Sequence, residues 1–315
     1  MNNQTIGVLV LSYGTPESLD QIEAYYTHIR RGVPPLPAQL EELIERYRAT
    51  AGGCFPLREK TNQQVQALEE NLNSTYPQHH FVCYQGLKHT FPFVEDGVEH
   101  MVKDGIKQAV GVVLAPHYSS MSVGSYVKRA KETAEAKGLS ISFVMNYHMH
   151  PKLLVALELR IESALQKFTE VSKHEVKVIF TAHSLPTKIL EIQDPYPEQL
   201  METARALASR VGLHDNNWQF GWQSAGRTAT PWLGPDILDI LKENHEQHQV
   251  NHVLICPIGF VSDHLEVLYD IDLECQAVAK ELGIHLERTD SLNADPLYMD
   301  TLSDVVYQRW QEENA

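Results

Sequence analysis

Short apolar runs alternate with longer amphipathic stretches along this 315-residue chain, and this alternation constrains the fold more than any other feature. The run at 110–115 is apolar throughout, which is typical of a strand covered on both faces. Strands are predicted at 6–12, 80–86, 109–116, 141–147, 175–183, 218–224, 251–257 and 284–287. Helices are predicted at 17–30, 38–48, 60–75, 92–104, 122–137, 151–171, 194–211, 235–247, 263–281 and 296–312. Such alternation favours parallel sheets with right-handed crossovers.

The strand–helix pattern occurs twice. The first half has a strand followed by Tyr13-Gly14-Thr15-Pro16, and the second has a strand followed by His183-Ser184-Leu185-Pro186. We therefore expect an α/β protein of two similar doubly wound, Rossmann-like domains, each with a mainly parallel four-stranded sheet. The expected domains are 1–160, 161–295 and a C-terminal helix, 296–315, that packs back on the first domain. Because such sheets bind ligands at their carboxyl edges, the active site is expected in the cleft between the two domains.

Charge and composition exclude several classes of function. The net charge of −15 disfavours nucleic acid as a partner, because phosphate binding needs a basic surface. The sequence has neither of the glycine-rich phosphate-binding motifs after its first strand. No segment has the length and hydrophobicity of a membrane span, so stable membrane insertion is not expected. The four cysteines form no CxxC pair and are interpreted as reduced thiols of a cytoplasmic protein.

Two ionisable residues lie at predicted sheet edges in the second half. His183 ends an apolar strand, and Glu266 lies in the first turn of the helix after another strand. An imidazole facing a carboxylate can take up protons and hold a divalent metal ion. The alternatives are a hydrogen-bonded histidine at a strand end and a carboxylate that stabilises a helix start.

Three carboxylates follow one another at intervals of four in the same segment, at Glu266, Asp270 and Glu274. On a helix they share one face, where like charges repel. A path for cations or protons would explain this spacing. The alternative is the solvated acidic face of an acidic protein.

A basic, tyrosine-rich segment follows the first strand. Its arginines are Arg30, Arg31, Arg46 and Arg48, and Tyr25, Tyr26 and Tyr47 lie near them in sequence. Arginine binds carboxylates through two parallel hydrogen bonds, so this segment suits a flat anionic ligand. The alternative is ordinary surface charge balanced by neighbouring glutamates.

Nine segments spread over nearly the whole chain resemble the ferrochelatases, and among them the coproporphyrin type of Gram-positive bacteria. The longest is GFVSDHLEVLYD at 259–270. The others are LSYGTP (11–16), YTHIRRG (26–32), ERY (45–47), GLKH (86–89), LAPHYS (114–119), AHSLP (182–186), GWQSAG (221–226) and PWLGP (231–235).

The resemblance implies an enzyme, a lyase that inserts Fe²⁺ into a porphyrin in heme biosynthesis with release of two pyrrole protons. His183 and Glu266 match the pair that binds the metal and accepts protons, and Tyr13 matches a tyrosine on the opposite face of the macrocycle. Asp270 and Glu274 match an acidic ladder behind the glutamate. The residues expected to bind the porphyrin are Tyr13, Arg30, Arg31, Arg46 and Tyr126. Fe²⁺ is a substrate, no organic cofactor is expected, and transient handover of the product to a downstream enzyme of the heme pathway is considered.

One stretch departs from the family pattern. Where relatives have Gly-Gly-Ile-Ser-Pro-Leu, with a serine that contacts a propionate, this chain has GGCFPL at 52–57. The favoured substrate is coproporphyrin III, which would give coproheme. Protoporphyrin IX, another tetrapyrrole chelatase substrate, and a non-catalytic porphyrin or heme carrier are the alternatives.

Overall fold

A computed structural model describes residues 5–50, 55–226 and 229–315 of the chain. The chain divides into two compact units. The first unit combines the residues up to Tyr147 with the C-terminal residues Asn293–Ala315. The second unit is the segment between them, His148–Leu292. The expected boundary at residue 160 falls inside a helix, Pro151–Leu165, which belongs to the second unit.

The first unit contains one four-stranded parallel sheet in the order β2-β1-β3-β4. The strands are β1 (Thr5–Ser12), β2 (His80–Leu87), β3 (Gln108–Val113) and β4 (Ser140–Val144). The central strand β1 is buried along nearly its whole length, which explains its continuous apolar sequence.

Five α-helices of the described residues lie between these strands in the chain. They are α1 (Ile22–Ile29), α2 (Pro37–Ala49), α3 (Pro56–Thr75), α4 (Val94–Lys103) and α5 (Val123–Lys137). Prolines begin α2 and α3, where the missing N–H has no helical partner to lose. Gly138, with φ of 70°, ends α5 in the left-handed conformation that glycine adopts at least cost.

The second unit repeats the arrangement, with strand order β6-β5-β7-β8. The strands are β5 (Lys177–His183), β6 (Trp218–Gln223), β7 (His252–Cys256) and β8 (His285–Arg288), and all pairs are parallel. Its helices are α6 (Pro151–Leu165), α7 (Tyr196–Arg210), α8 (Ile237–His248), a π-helix (Val267–Cys275) and α9 (Gln276–Leu282). Two parallel four-stranded sheets with flanking helices confirm the predicted fold class.

The segment predicted as one helix over 263–281 differs in its winding. Nine of its residues form the π-helix, in which each N–H bonds five residues back rather than four. The last turns, α9, return to ordinary α geometry and end at Gly283, with φ of 72°.

The C-terminal helix α10 (Pro296–Asn314) packs against α3, β3 and β4. Tyr298, which is fully buried, forms a 2.9 Å hydrogen bond with the hydroxyl of Tyr147. The C-terminal residues therefore complete the core of the first unit.

The described residues can be compared with the expectations about membrane spans and cysteines. No helix in it is long and apolar enough to cross a membrane. Cys83, Cys256 and Cys275 are free thiols, whereas Cys54 lies outside the described residues.

Candidate active site

His183 occupies the last position of β5, a central strand of the second sheet. Its Nε2 lies 3.5 Å from Oε1 of Glu266, and its Nδ1 donates a hydrogen bond to the carbonyl of Ser184. The carbonyl therefore fixes the tautomer, and in the neutral ring the lone pair is on Nε2. The rings of Trp232 and Phe260 flank the imidazole, each 6.4 Å away between centroids.

Glu266 lies immediately before the π-helix, between two histidines. Its second oxygen, Oε2, is 3.4 Å from Nε2 of His264. The Nδ1 of His264 faces the carbonyl of Ser262 at 2.9 Å, so both imidazoles have their Nδ1 on a backbone carbonyl and their Nε2 on Glu266. The structure thus brings together the pair predicted from the sequence and adds His264 to it.

The charges of this cluster are strongly coupled. Burial opposes protonation of His183, but the charge and hydrogen bond of Glu266 outweigh it and raise the pKa of His183 to about 9. Burial also opposes ionisation of Glu266, yet His183 and then His264 hold the pKa of this carboxyl well below its usual range. At neutral pH the pair is therefore an imidazolium facing a carboxylate.

The carboxylates behind Glu266 differ in their surroundings. Asp270 is 7% exposed and accepts a hydrogen bond from the hydroxyl of Ser224. Ser224 has φ of 60°, a left-handed conformation that non-glycine residues adopt at a cost, and this conformation places its hydroxyl on Asp270. Glu274 is half-buried one π-helical turn further on.

The π-helix preserves the predicted stripe of carboxylates. Residues four apart deviate from alignment by about 40° in an α-helix and by a similar angle, of opposite sign, in a π-helix. Glu266, Asp270 and Glu274 therefore share a face in either geometry.

Tyr13 follows β1 in the first unit and is 41% exposed. Its ring lies 4.7 Å from that of His89, and Nδ1 of His89 is 3.0 Å from Nδ1 of His28. Burial, with Lys88 and His28 nearby, lowers the pKa of His89 to about 3, so His89 is neutral. One of the two facing nitrogens must then carry the hydrogen and the other must accept it.

The predicted porphyrin-binding arginines lie in the turn after α1 and on α2. Arg30 follows α1, with its Nε 3.2 Å from the carbonyl of Val33, and Arg31 is an exposed turn residue with φ of 57°. Arg46, on α2, lies 3.3 Å from Glu42.

Tyr126, on α5, lies in the core and is 4% exposed. Lys88 Nζ lies 4.9 Å from the centre of its ring. The stretch that departs from the family pattern is described only from Phe55, whose ring lies 4.8 Å from that of Tyr47; Cys54 is outside the described residues.

His264 and Ser224 are not among the site residues predicted from the sequence. His264 precedes Glu266 by two residues, and in the GWQSAG motif Ser224 directly follows β6. A polar residue that ends a predicted strand points to a sheet edge for His183, and the same signal applies to Ser224, which ends the predicted strand 218–224. Within the described residues, no group of three or more His, Cys, Asp or Glu side chains is arranged to hold a metal ion.

Comparison with known proteins identifies the family. The ferrochelatase family model matches residues 5–310. The chain belongs to the ferrochelatase family. It is 45% identical over 313 residues to the coproporphyrin III ferrochelatase of Oceanobacillus iheyensis, covering 99% of each chain. It is 45% identical to the protein of the same name from Geobacillus kaustophilus, covering 99% of this chain and 98% of the relative. The resemblance stated from the motifs is confirmed.

Solved structures of chelatases share the fold at much lower identity. The sirohydrochlorin chelatase SirB of Bacillus subtilis subspecies spizizenii, in complex with cobalt, has a TM-score of 0.60 at 12% identity, covering 98% of this chain and 96% of that one. CbiX, described as the terminal enzyme of siroheme biosynthesis in denitrifying bacteria, has a TM-score of 0.54 at 12% identity, covering 96% of this chain and 98% of that one. These similarities support the fold of this ferrochelatase.

Proposed function

We propose that this ferrochelatase inserts Fe²⁺ into coproporphyrin III, giving coproheme, with His183 and Glu266 handling the metal and the pyrrole protons. The observation that carries the proposal is the 43–45% identity, over nearly the full length, to relatives named coproporphyrin III ferrochelatase. The coupled pair of His183 and Glu266 supports the assignment of roles, because metal insertion needs a ligand and a proton acceptor in one place.

The proton on His183 provides a way to couple metal arrival to base catalysis. In the resting site the proton on Nε2 is stabilised by the carboxylate of Glu266. A divalent cation that binds Glu266 cancels this stabilisation, so the pKa of His183 falls. The partly exposed imidazole then releases its Nε2 proton to solvent, and Nε2 becomes available. The neutral imidazole then accepts a pyrrole proton, or holds the metal until the porphyrin takes it. Ligands of nitrogen and oxygen suit Fe²⁺ without retaining it as a set of thiolates would.

Two protons leave the porphyrin for each metal ion that enters, so the site must pass protons on. We assign this role to the acidic ladder of Glu266, Asp270 and Glu274. Glu266 and Glu274 are partly exposed and Asp270 between them is buried, so the series connects the His183 pair with a second partly exposed carboxylate. Ser224 keeps Asp270 in position by donating its hydroxyl hydrogen.

The first unit supplies the groups that suit a porphyrin. Tyr13 offers an exposed aromatic face, and Arg30, Arg31 and Arg46 offer guanidinium groups for propionates. Tyr126 is assigned to the same group of residues. Binding energy from the rim can support distortion of the macrocycle, which exposes the nitrogen lone pairs to the metal. We place the reaction in the cytoplasm, with transient handover of the product to a downstream enzyme.

The test compares metal insertion into two porphyrins. Purified protein is incubated anaerobically with Fe²⁺ and either coproporphyrin III or protoporphyrin IX, and initial rates are followed by loss of porphyrin fluorescence. We expect many turnovers and a higher kcat/KM for coproporphyrin III. A higher value for protoporphyrin IX would overturn the substrate assignment, and a reaction that stops at one equivalent would identify a carrier.

A further inference from the structure

Arg288, the last residue of β8, joins two carboxylates of the segment that carries Glu266. Its Nε lies 2.7 Å from Oδ1 of Asp272 and its Nη2 lies 2.9 Å from Oδ2, which is a two-point contact. The same Nη2 is 3.6 Å from Oδ1 of Asp263, and Nη1 donates to the carbonyl of Thr289 at 2.9 Å. The Arg288 side chain is only 14% exposed, so solvent screens these contacts weakly.

The positions of the two aspartates are the informative feature. Asp272 lies within the π-helix Val267–Cys275, whereas Asp263 lies in the non-helical segment before Glu266. One guanidinium therefore contacts the chain on both sides of Glu266, three residues before it and six residues after it. Rewinding of the π-helix would change the rotation between these two contacts.

We propose that Arg288 is a positioning residue that holds this segment in π-helical register and thereby sets Glu266 against His183 and His264. Glu266 lies six residues before Asp272, the residue of the π-helix to which Arg288 donates its hydrogen bonds. Over six residues the two kinds of helix differ in rotation on the order of 100°. If the segment relaxed to α geometry from the fixed Asp272, the carboxylate of Glu266 would turn away from both imidazoles.

This inference rests on the proposed function for its catalytic consequence but not for its structural one. Loss of the two-point contact should weaken the use of the metal, because Glu266 is displaced. It should leave porphyrin binding unchanged, because the porphyrin-binding residues assigned above belong to the first unit.

The test replaces Arg288 by lysine, which keeps the positive charge but cannot form the two-point contact with Asp272. Arg210→Lys is the matched control, because Arg210 makes a similar contact with Glu158, at 2.7 Å, in the same unit but on α7. The assay is insertion of Zn²⁺ into coproporphyrin III, with each substrate varied in turn. We expect R288K to raise the KM for Zn²⁺ at least fivefold while the KM for porphyrin stays within twofold. In R210K both should stay within twofold.

Hydrogen exchange of the amides of Val267–Cys275 provides a second measurement that does not depend on activity. We expect faster exchange there in R288K and not in R210K, because register fluctuations break the i→i+5 bonds. Asp272→Asn removes the charge on the other side of the contact. It should also raise the KM for Zn²⁺ and speed amide exchange in Val267–Cys275. This variant replaces R288K in the test if R288K does not fold.

The two proposals fail in different ways. Equal effects of R288K and R210K on Zn²⁺ kinetics and on exchange would overturn the role of Arg288, as would equal loss of Zn²⁺ and porphyrin affinity. If the wild-type protein inserts no metal, the proposed function fails, and the exchange comparison still decides whether Arg288 holds the π-helix.

Discussion

Nε2 of His264 lies 3.4 Å from Oε2 of Glu266, whereas His183 faces the other oxygen of this carboxylate, Oε1. Each oxygen of Glu266 therefore faces one imidazole. Since either histidine favours the ionised carboxylate, removal of His183 leaves Glu266 charged and held by His264. The contribution of His183 can then be measured without loss of the carboxylate.

His183→Ala is expected to reduce Zn²⁺ or Fe²⁺ insertion by about 10²–10⁴-fold, the usual contribution of a general base. The dissociation constant of coproporphyrin, measured by fluorescence quenching, should change less than threefold, because the porphyrin-binding residues assigned above lie in the other unit. His285→Ala is a suitable control, since His285 also faces a glutamate, at 3.5 Å from Glu287, but at the start of β8. Wild-type turnover in the His183 variant would refute the assigned role.

The pair of His183 and Glu266 should make stability depend on pH in a defined window. The pKa of His183 is raised from 6.5 to about 9 in the folded protein. Its stabilising effect is therefore complete below about pH 6.5 and is lost as the pH rises through about 9. Urea unfolding of the wild type and of Glu266→Gln at both ends of this window measures the effect.

We expect the stability difference between wild type and Glu266→Gln to shrink as the pH rises from 6.5 to 9.5. In a His183→Ala background most of this change should disappear, because the group that titrates is gone. A difference that is constant over the window, or that grows with pH, would contradict the direction of the shift.

Ser224 combines a left-handed backbone with a hydrogen bond to the buried Asp270. Ser224→Ala keeps the strained backbone and removes the bond to a charged group, which should cost about 2 kcal/mol. Ser224→Gly also removes the bond but relieves the backbone, so it should be more stable than the alanine variant by up to about 1 kcal/mol. Urea unfolding of the three proteins tests the order. An alanine variant as stable as the wild type would show that the hydroxyl adds nothing to Asp270.

The architecture could be predicted from the sequence because the strands carry their own signal. Strands such as β1 and β7 are buried on both faces, so they appear as continuous apolar runs. The same regularity places His183 at a sheet edge, and the long motif around Glu266 identifies the family.

The parts of the site that were missed depend on contacts between distant residues. Carboxylates at intervals of four residues share a face in an α-helix and in a π-helix alike. The π-helix therefore cannot be predicted from the spacing of Glu266, Asp270 and Glu274. Arg288 and Asp272 are 16 residues apart in sequence, and the pairing of β8 with β7 positions Arg288 in the sheet. The φ of Ser224 follows from its position between β6 and Asp270, which no local sequence preference encodes.

Arg46 and Arg48 lie on the same helix, α2, and allow a matched test of propionate binding. Arg46 belongs to the group assigned to the porphyrin, whereas the more exposed Arg48 pairs with Glu45 and Glu41. We expect Arg46→Ala to raise the dissociation constant of coproporphyrin at least tenfold, because the proposed contact with a propionate would be lost, while saturated turnover falls less than threefold. Arg48→Ala should change neither quantity, since exposed ion pairs contribute little. An unchanged dissociation constant for the Arg46 variant, or equal effects of the two substitutions, would remove Arg46 from the binding surface.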